Sequence, residues 1–541
     1  MFEIGRDILK HNLGGAASAG RGPRRLRVMY WVLFAAFVVF VGRTLYLGIQ
    51  GTDRARRSGP AGVWSAKRAD IVDRNGDILA KNIVSGHVMV RPHKIKDRDA
   101  AAAVIHDAFP YEYSVADALK LLNSGIRFKY LKNYASKAER EKIYKAKIEG
   151  LEVEPDQTRR YPKRRLFSHI VGFVGKEGHG LEGAERTYDE YLGQNSDPLQ
   201  LSLDSRVQSV FYEQLSAAMQ KYQARGAMGV LMNSRTGEIV AFVSLPDFDP
   251  ENISADPAVN RLSKPMRGVF EMGSIFKIFN TAMALENGIS KEYYVAEPYK
   301  VLDKFGRVAA KISDVRSFKP PRPHLNVDEI MQHSCNAGSA QIALDLPDGT
   351  QREFFERLKM DRALDLEFGR TERTLMPQKW GPVERATVSF GHGISVTPMH
   401  LLLAVNAVTN GGIYIYPTLR KRGVGVVQGT RVLSADISAR LRENMVKVVE
   451  NTSGKQARIA GIQIGGKTAT AEKRVNGKID RKRNLTAFVG IFPAAAPQYT
   501  ILVVLDEPQG TKESWGLRTA AWNAVPTTGK ILDSILPLLF K

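Results

Sequence analysis

One segment limits every architecture open to this 541-residue chain. From Val28 to Ile49 it reads VMYWVLFAAFVVFVGRTLYLGI, 22 residues with Arg43 as the only charge. At about 1.5 Å of rise per residue such a helix spans about 33 Å, the depth of a bilayer core. Arg43 stands near the far end, where its stem can snorkel to the interface. Arg21, Arg24, Arg25 and Arg27 precede the segment, so the positive-inside rule assigns residues 1–27 to the cytoplasm and everything after about residue 50 to the outside. A cleaved signal peptide would be shorter and followed by a small-residue cleavage site, whereas GTDRARRSG follows here. The expectation is a single-pass, uncleaved anchor that meets the lipid bilayer through residues 28–49. No other segment is apolar enough to span.

Composition narrows the rest. With 43% hydrophobic and 25% charged residues the chain can bury two or more cores, and a disordered tail is excluded. Lys and Arg number 78 against 56 Asp and Glu, a formal charge of +22 that favours an anionic surface or polymer. Nucleic acid is not expected as that partner, because the bulk of the chain is exported. Cys335 is the only cysteine, which rules out an intrachain disulfide, a cysteine zinc site and a redox pair.

Residues 50–64 read as a polar linker. The stretch RADIVDRNGDILA (68–80) alternates around Asn75-Gly76, a strong hairpin signal. Residues 98–150 read as helices, with Ala103, Ile105, Ala108 and Phe109 at helical spacing. Gly178-His179-Gly180-Leu181-Glu182-Gly183 fits G-x-G-x-x-G after a strand-like SHIVGFVG, with Asp204 further on. Outside the cell nucleotides are scarce, so this is read as a tight connection. From Gln208 a second region opens with a helix, then strands at Met228–Met232 and Glu238–Ser244 joined by a turn ending at Gly237. Helices follow near 274–287, 325–345 and Pro398–Asn410, then strands at 462–470, 484–492 and 498–505 and a helix near Ile531–Leu539. Helices in the middle and strands at both ends predict an α+β domain whose sheet is completed by the C-terminal strands.

Within that domain Ser274 and Lys277 stand three apart at the start of an apolar helix, which puts hydroxyl and amine on one face. A serine needs a base to become a nucleophile, and a lysine serves once burial or another cation depresses its pKa. Ser334-Cys335-Asn336, at a helical junction, offers a hydroxyl for proton relay beside an amide that can bind a peptide group. Lys467-Thr468-Ala469-Thr470 ends the β-run GIQIGG, where a strand supplies backbone N–H groups and the lysine and hydroxyls suit a carboxylate.

These three motifs resemble the S-x-x-K, S-x-N and K-T-G set of penicillin-binding proteins and serine β-lactamases. The segments RADIVDRNGDILA, Arg160-Tyr161-Pro162, HIVGFVG, GLEGAE, TGEIVAFVSLPDFDPEN and VSFGHGISVTPMHLLLAVNAVTNGG extend the likeness to class B penicillin-binding proteins over nearly all of residues 30–541. The form SCNAGSA and a compact C-terminus resemble the division (FtsI-type) branch. The resemblance implies a fold of class α+β with a single N-terminal transmembrane helix. An elongated mixed pedestal domain follows, then a penicillin-binding, serine β-lactamase-like transpeptidase domain of antiparallel sheet and helices. The implied boundaries are a cytoplasmic tail at 1–27, the span at 28–49, a non-catalytic pedestal of the dimerisation type at 50–205 and the transpeptidase at 206–541.

The implied activity is membrane-anchored, penicillin-sensitive cross-linking of peptidoglycan stem peptides ending in D-Ala-D-Ala at the division septum. Ser274 would form the acyl-enzyme with Lys277 as base. Ser334 would pass the proton to the leaving amine beside Lys467, and Asn336 would bind the donor amide. Thr468 and Thr470 would hold the terminal carboxylate, with the N–H groups of Ser274 and Thr470 as oxyanion hole. Ala469 departs from the usual glycine, and the expectation is a surviving site with altered substrate or β-lactam affinity. No cofactor and no metal are implied. The implied setting is a bacterial cytoplasmic (inner) membrane with the catalytic domain periplasmic, and the implied partner is a polytopic septal glycan polymerase of the FtsW type. An elongation-type transpeptidase and a non-catalytic or β-lactam-sensing homologue are the alternatives. Cys335 is expected to be a packing residue, His333, His392 and His400 to be structural, and the basic run Arg159, Arg160, Lys163, Arg164, Arg165 to be a solvated surface.

Overall fold

A computed structural model of the chain describes residues 29–43, 68–315, 318–423, 427–475 and 478–540. The chain divides into two units, residues 1–63 and 64–541. In the first, residues 29–43 are helical with exposed side chains. Among the described residues no helix is long and apolar enough to cross a membrane. Val28, residues 44–49, the tail 1–27 and the linker 50–64 lie outside the described residues.

In the second unit the Asn75-Gly76 signal forms the hairpin it predicts. Gly76 has φ +93°, and the Asp73 carboxylate accepts the N–H groups of Asn75 and Asp77 at 2.8 and 2.9 Å, an Asx turn that reverses the chain. Strand Ile71–Val72 pairs antiparallel with the long strand Ile78–Val90 and parallel with Leu199–Gln200. The long strand also carries Lys129–Lys132 and Leu151–Arg160. Helices Arg98–Ala108, Val115–Leu122 and Lys137–Ala146 bury Ala101, Ala102, Ile105, Ala108, Phe109, Ala118, Leu122 and Ile143 in one core. Ala103, expected on that stripe, is exposed; at about 100° per residue the stripe set by 101, 105 and 108 leaves 103 on the outer face.

In the basic run after residue 158, Lys163 and Arg164 are exposed as expected, but Arg159 is not part of a solvated surface and most of the run is ion-paired. Arg159 is 4% exposed and donates to Glu185 Oε1 at 2.7 Å, while Arg68 donates to Glu185 Oε2 at 2.8 Å. Arg160 pairs with Glu251, Arg164 with Asp249, and Arg165 with Asp247 and Asp256. The acidic loop after strand Ile239–Leu245 supplies these carboxylates, so charge written as a cluster in sequence is distributed as ion pairs in space. The G-x-G-x-x-G segment is a tight connection. Ser168–Val171 before it is helical, not a strand, and a Cβ on Gly183, φ +60°, would stand 2.6 Å from the Gly172 nitrogen.

The second core is built on a five-stranded antiparallel sheet in the spatial order Gly465–Val475, Lys478–Phe492, Tyr499–Asp506, Gly226–Asn233, Ile239–Leu245. The C-terminal strands thus close onto the first pair, as the element order predicts. Helices Ser205–Lys221 and Ala524–Leu539 share one apolar cluster with the sheet; the wholly buried helix Pro398–Thr409 and the helix Lys277–Glu286 belong to the other. The first two C-terminal strands run further towards each other than their apolar patterns, because the polar stretch KIDRKRN continues the ladder of TAFVGIF. The helical region 325–345 is two helices, Val327–His333 and Asn336–Asp345, with Ser334-Cys335 at their junction.

Candidate active site

Gly465–Val475 is an edge strand: it pairs with Lys478–Phe492 on one side, and its other side runs past the turn Gly273–Phe276 that precedes helix Lys277–Glu286. Gly273, with φ +50°, sets the turn against the edge strand, where an added Cβ would be in ordinary contact with the Thr470 carbonyl oxygen at 3.4 Å. Gly391, φ +79°, packs against the Gly273 backbone from the other side, and a Cβ there would collide with it. Only glycine combines that φ with that approach. The turn is therefore held between the edge strand and the 389–393 segment, with Ser274 half-buried at its surface.

The next turn of the same helix puts Lys277 beneath the serine. Its side chain is 1% exposed, and Nζ lies 2.8 Å from Ser274 Oγ, 3.3 Å from Ser334 Oγ and 2.7 Å from Asn336 Oδ1. The Phe390 ring centroid is 5.9 Å away. Burial lowers its pKa to about 8, against the opposing pull of the Asp314 carboxylate.

The helix break explains how Ser334 reaches this lysine. Ser334 ends helix Val327–His333 in the left-handed conformation, φ 62° and ψ 37°, which for a non-glycine residue costs about 1–2 kcal/mol. Cys335 then caps the next helix, its Sγ accepting the Gly338 N–H at 3.2 Å. The thiol is buried and its pKa is pushed up to about 12, first by burial, in keeping with a packing and capping residue.

From the sheet, Lys467 is completely buried and donates to Ser334 Oγ at 2.9 Å. Burial first, and the neighbouring Lys277 second, hold its pKa well below the usual lysine range. Strand alternation turns Thr468 and Thr470 to the opposite face. Thr468 Oγ1 pairs with Ser453 Oγ at 2.8 Å, and Thr470 Oγ1 accepts the Ala520 N–H at 3.0 Å. A hydroxyl so engaged retains bonding capacity for a ligand. Ala469 is 3% exposed and belongs to the core cluster.

Eight candidate residues chosen from three separate segments thus fall into two connected groups. Ser274, Lys277, Ser334, Asn336 and Lys467 form one continuous hydrogen-bonded chain; Thr468, Ala469 and Thr470 continue the strand that Lys467 begins. Chemically this is a half-buried hydroxyl over a buried amine with depressed basicity, on an edge strand, an arrangement suited to acyl transfer from a peptide. Sequence reasoning missed Asp314, Ser453, Ala520 and Gly391. For Gly391 a signal existed, since F-G-H-G marks a special backbone conformation; for the others none did.

Comparison with known proteins finds similarity over nearly the whole chain. The family described as penicillin binding protein transpeptidase domain matches residues 227–526, and the penicillin-binding protein dimerisation domain matches residues 64–201. The chain is 32% identical to the probable peptidoglycan D,D-transpeptidase FtsI of Caulobacter vibrioides, over 97% of this chain and 90% of that one. It is 26% identical to the peptidoglycan D,D-transpeptidase FtsI of Escherichia coli strain K12, over 95% and 91%. The crystal structure of penicillin-binding protein 2X from Streptococcus thermophilus shares the fold, with a TM-score of 0.73 at 18% identity, covering 86% of this chain and 79% of that one.

Proposed function

The chain belongs to the penicillin-binding protein family, as a peptidoglycan D,D-transpeptidase of the FtsI type, and from that premise we propose that Ser274 carries an acyl-enzyme in septal cross-linking. The observation that carries this reading is the Ser274–Lys277 contact of 2.8 Å, with Lys277 buried and its pKa lowered to about 8.

In the neutral form Lys277 accepts the Ser274 proton as Oγ attacks the carbonyl between the two terminal D-alanines. The developing oxyanion would be met by the N–H groups of Ser274 and Thr470. The C–N bond then breaks, and D-alanine leaves with a proton passed through the Ser334 hydroxyl from the lysine side. Lys467 holds that hydroxyl in place, Asn336 takes the donor amide, and Thr468 and Thr470 take the terminal carboxylate. An amine from a second stem peptide displaces Ser274 from the ester, which forms the cross-link and restores the enzyme. β-Lactams enter by the first half of this sequence and stop there.

The apolar run 28–49 and the arginines before it support a single-pass anchor, with the transpeptidase on the outer face of the bacterial inner membrane. Matches to a dimerisation and a transpeptidase domain, with no polymerase domain between them, support reliance on a separate septal glycan polymerase of the FtsW type. Depletion in cells separates division from elongation roles, with filaments expected for the first and rounding for the second.

The direct test is intact-mass spectrometry of the full-length chain in detergent after incubation with benzylpenicillin, beside Ser274→Ala. One adduct is expected on the wild type and none on the variant. A folded wild type without an adduct would overturn the reading.

A further inference from the structure

Asp314 lies outside all three motifs, forty residues after Ser274 and twenty before Ser334. It follows the hairpin of strands Tyr299–Leu302 and Val308–Ile312, whose tip carries no other group of the site. Yet its carboxylate faces the backbone of the second motif directly. Oδ1 accepts the Asn336 N–H. Oδ2 lies 3.3 Å from the Ala337 nitrogen and 3.4 Å from Cys335 Sγ, while the adjacent Ser313 carbonyl accepts from Asn336 Nδ2 at 3.3 Å.

The consequence is mechanical. Asn336 is gripped at its backbone and at its side-chain nitrogen by residues 313–314, and its remaining polar atom, Oδ1, faces Lys277. Ser334, two residues earlier, is held in the left-handed conformation that a free chain would leave. An acceptor at the N-terminus of helix Asn336–Asp345 satisfies amides that the helix cannot pair itself, so Asp314 fixes where that helix begins.

The consequence is also electrostatic. The groups acting on Lys277 come from four elements. Lys467 approaches from the edge strand across Ser334. His392 approaches from the 389–393 segment beside the Phe390 ring and is lowered in pKa by burial, which favours its neutral form. The Cys335 thiol, pushed up in pKa, is neutral. Asp314 contributes the carboxylate that opposes the burial of the Lys277 ammonium.

We propose that Asp314 is a positioning residue of the acylation step, holding Ser334 and Asn336 in register with Lys277 and supplying the negative charge opposite that ammonium. The proposal rests on Ser274 and Lys277 acting as nucleophile and base.

The experiment measures the rate of acylation of the full-length chain by benzylpenicillin from pH 5.5 to 9.5, for the wild type, Asp314→Asn and Asp314→Ala. Asparagine keeps an acceptor oxygen but removes the charge that favours the ammonium. Lys277 then loses its proton more readily, and the acid limb of the rate profile moves down by roughly half a pH unit or more. Alanine removes charge and acceptor together, and acylation falls by roughly tenfold or more across the range. Each rate is divided by the folded fraction read by circular dichroism at the same pH, so partial unfolding of a variant enters neither comparison. An Asp314→Asn profile that superimposes on the wild type, or an Asp314→Ala rate within about twofold of it, overturns the assignment. Absence of acylation in the wild type would instead remove the Ser274 reading beneath it.

Discussion

Lys277 and Lys467 share one acceptor: their ammonium nitrogens lie 3.3 and 2.9 Å from the same Ser334 hydroxyl oxygen. Both side chains are buried, and burial weighs most in lowering each pKa. Two cations cannot sit on one hydroxyl away from water without cost, so the pair readily gives up a proton. Lys467, lowered by Lys277 as well as by burial, yields first, and Lys277 follows with a pKa of about 8, below that of a solvent-exposed lysine.

The first prediction is a pH dependence. Lys277 must be unprotonated to accept the Ser274 proton, and with its pKa lowered to about 8 roughly a tenth is neutral at pH 7. Acylation should therefore rise with pH by up to tenfold per unit below that point and level off above it, with a midpoint near 8. Stopped-flow acylation by a chromogenic β-lactam reads this directly. A flat profile from pH 6 to 9 would exclude Lys277 as the base.

A second prediction concerns Ala469. Its methyl is 3% exposed and packed in the core, so burial does not support the altered affinity that its departure from glycine suggested. Ala469→Gly should acylate with benzylpenicillin at a rate within about threefold of the wild type. It should lose about 1 kcal/mol of stability, because glycine in a strand has more conformational freedom to surrender and leaves a methyl-sized gap. Rate measurements paired with denaturant unfolding check both parts.

The third prediction concerns Glu185, which receives Arg159 and Arg68 at 2.7 and 2.8 Å; the carboxylate is inaccessible, and the Arg159 and Arg68 side chains are 1% and 6% exposed. Removing one member of a buried set leaves the others charged and unpaired, at a cost of about 3–5 kcal/mol. Glu185→Ala should lower the apparent melting temperature by more than about 5 °C. Penicillin acylation by the molecules that remain folded at 25 °C should be unchanged, since Glu185 takes no part in the active-site hydrogen bonds.

The serine, the two lysines and the asparagine were legible because their spacing on a helix, at a helix break and on a terminal strand needs no distant information. So was the closing of the sheet by the C-terminal strands, which follows from strands standing at both ends of a helical region. What periodicity could not reach were the pairings across sequence. The hydrogen bond from Ala520 to Thr470 joins a loop to a strand 50 residues earlier, and the contact of Asp314 with Asn336 joins a hairpin exit to a helix start. Arg159 shows the same limit: a basic cluster reads as solvated until the partner carboxylates are brought to it.

By itself, the sequence determined the residue chemistry of the site, the order of its motifs along an α+β chain and the apolar run ahead of it, because each is a local pattern of spacing or polarity. Only the tertiary structure decided that Lys277 and Lys467 meet over one hydroxyl, that Ala469 points into the core, and that Asp314 belongs to the site. Those outcomes depend on burial and on distances between segments far apart in sequence, and both arise only when the sheet closes and the helices pack against it.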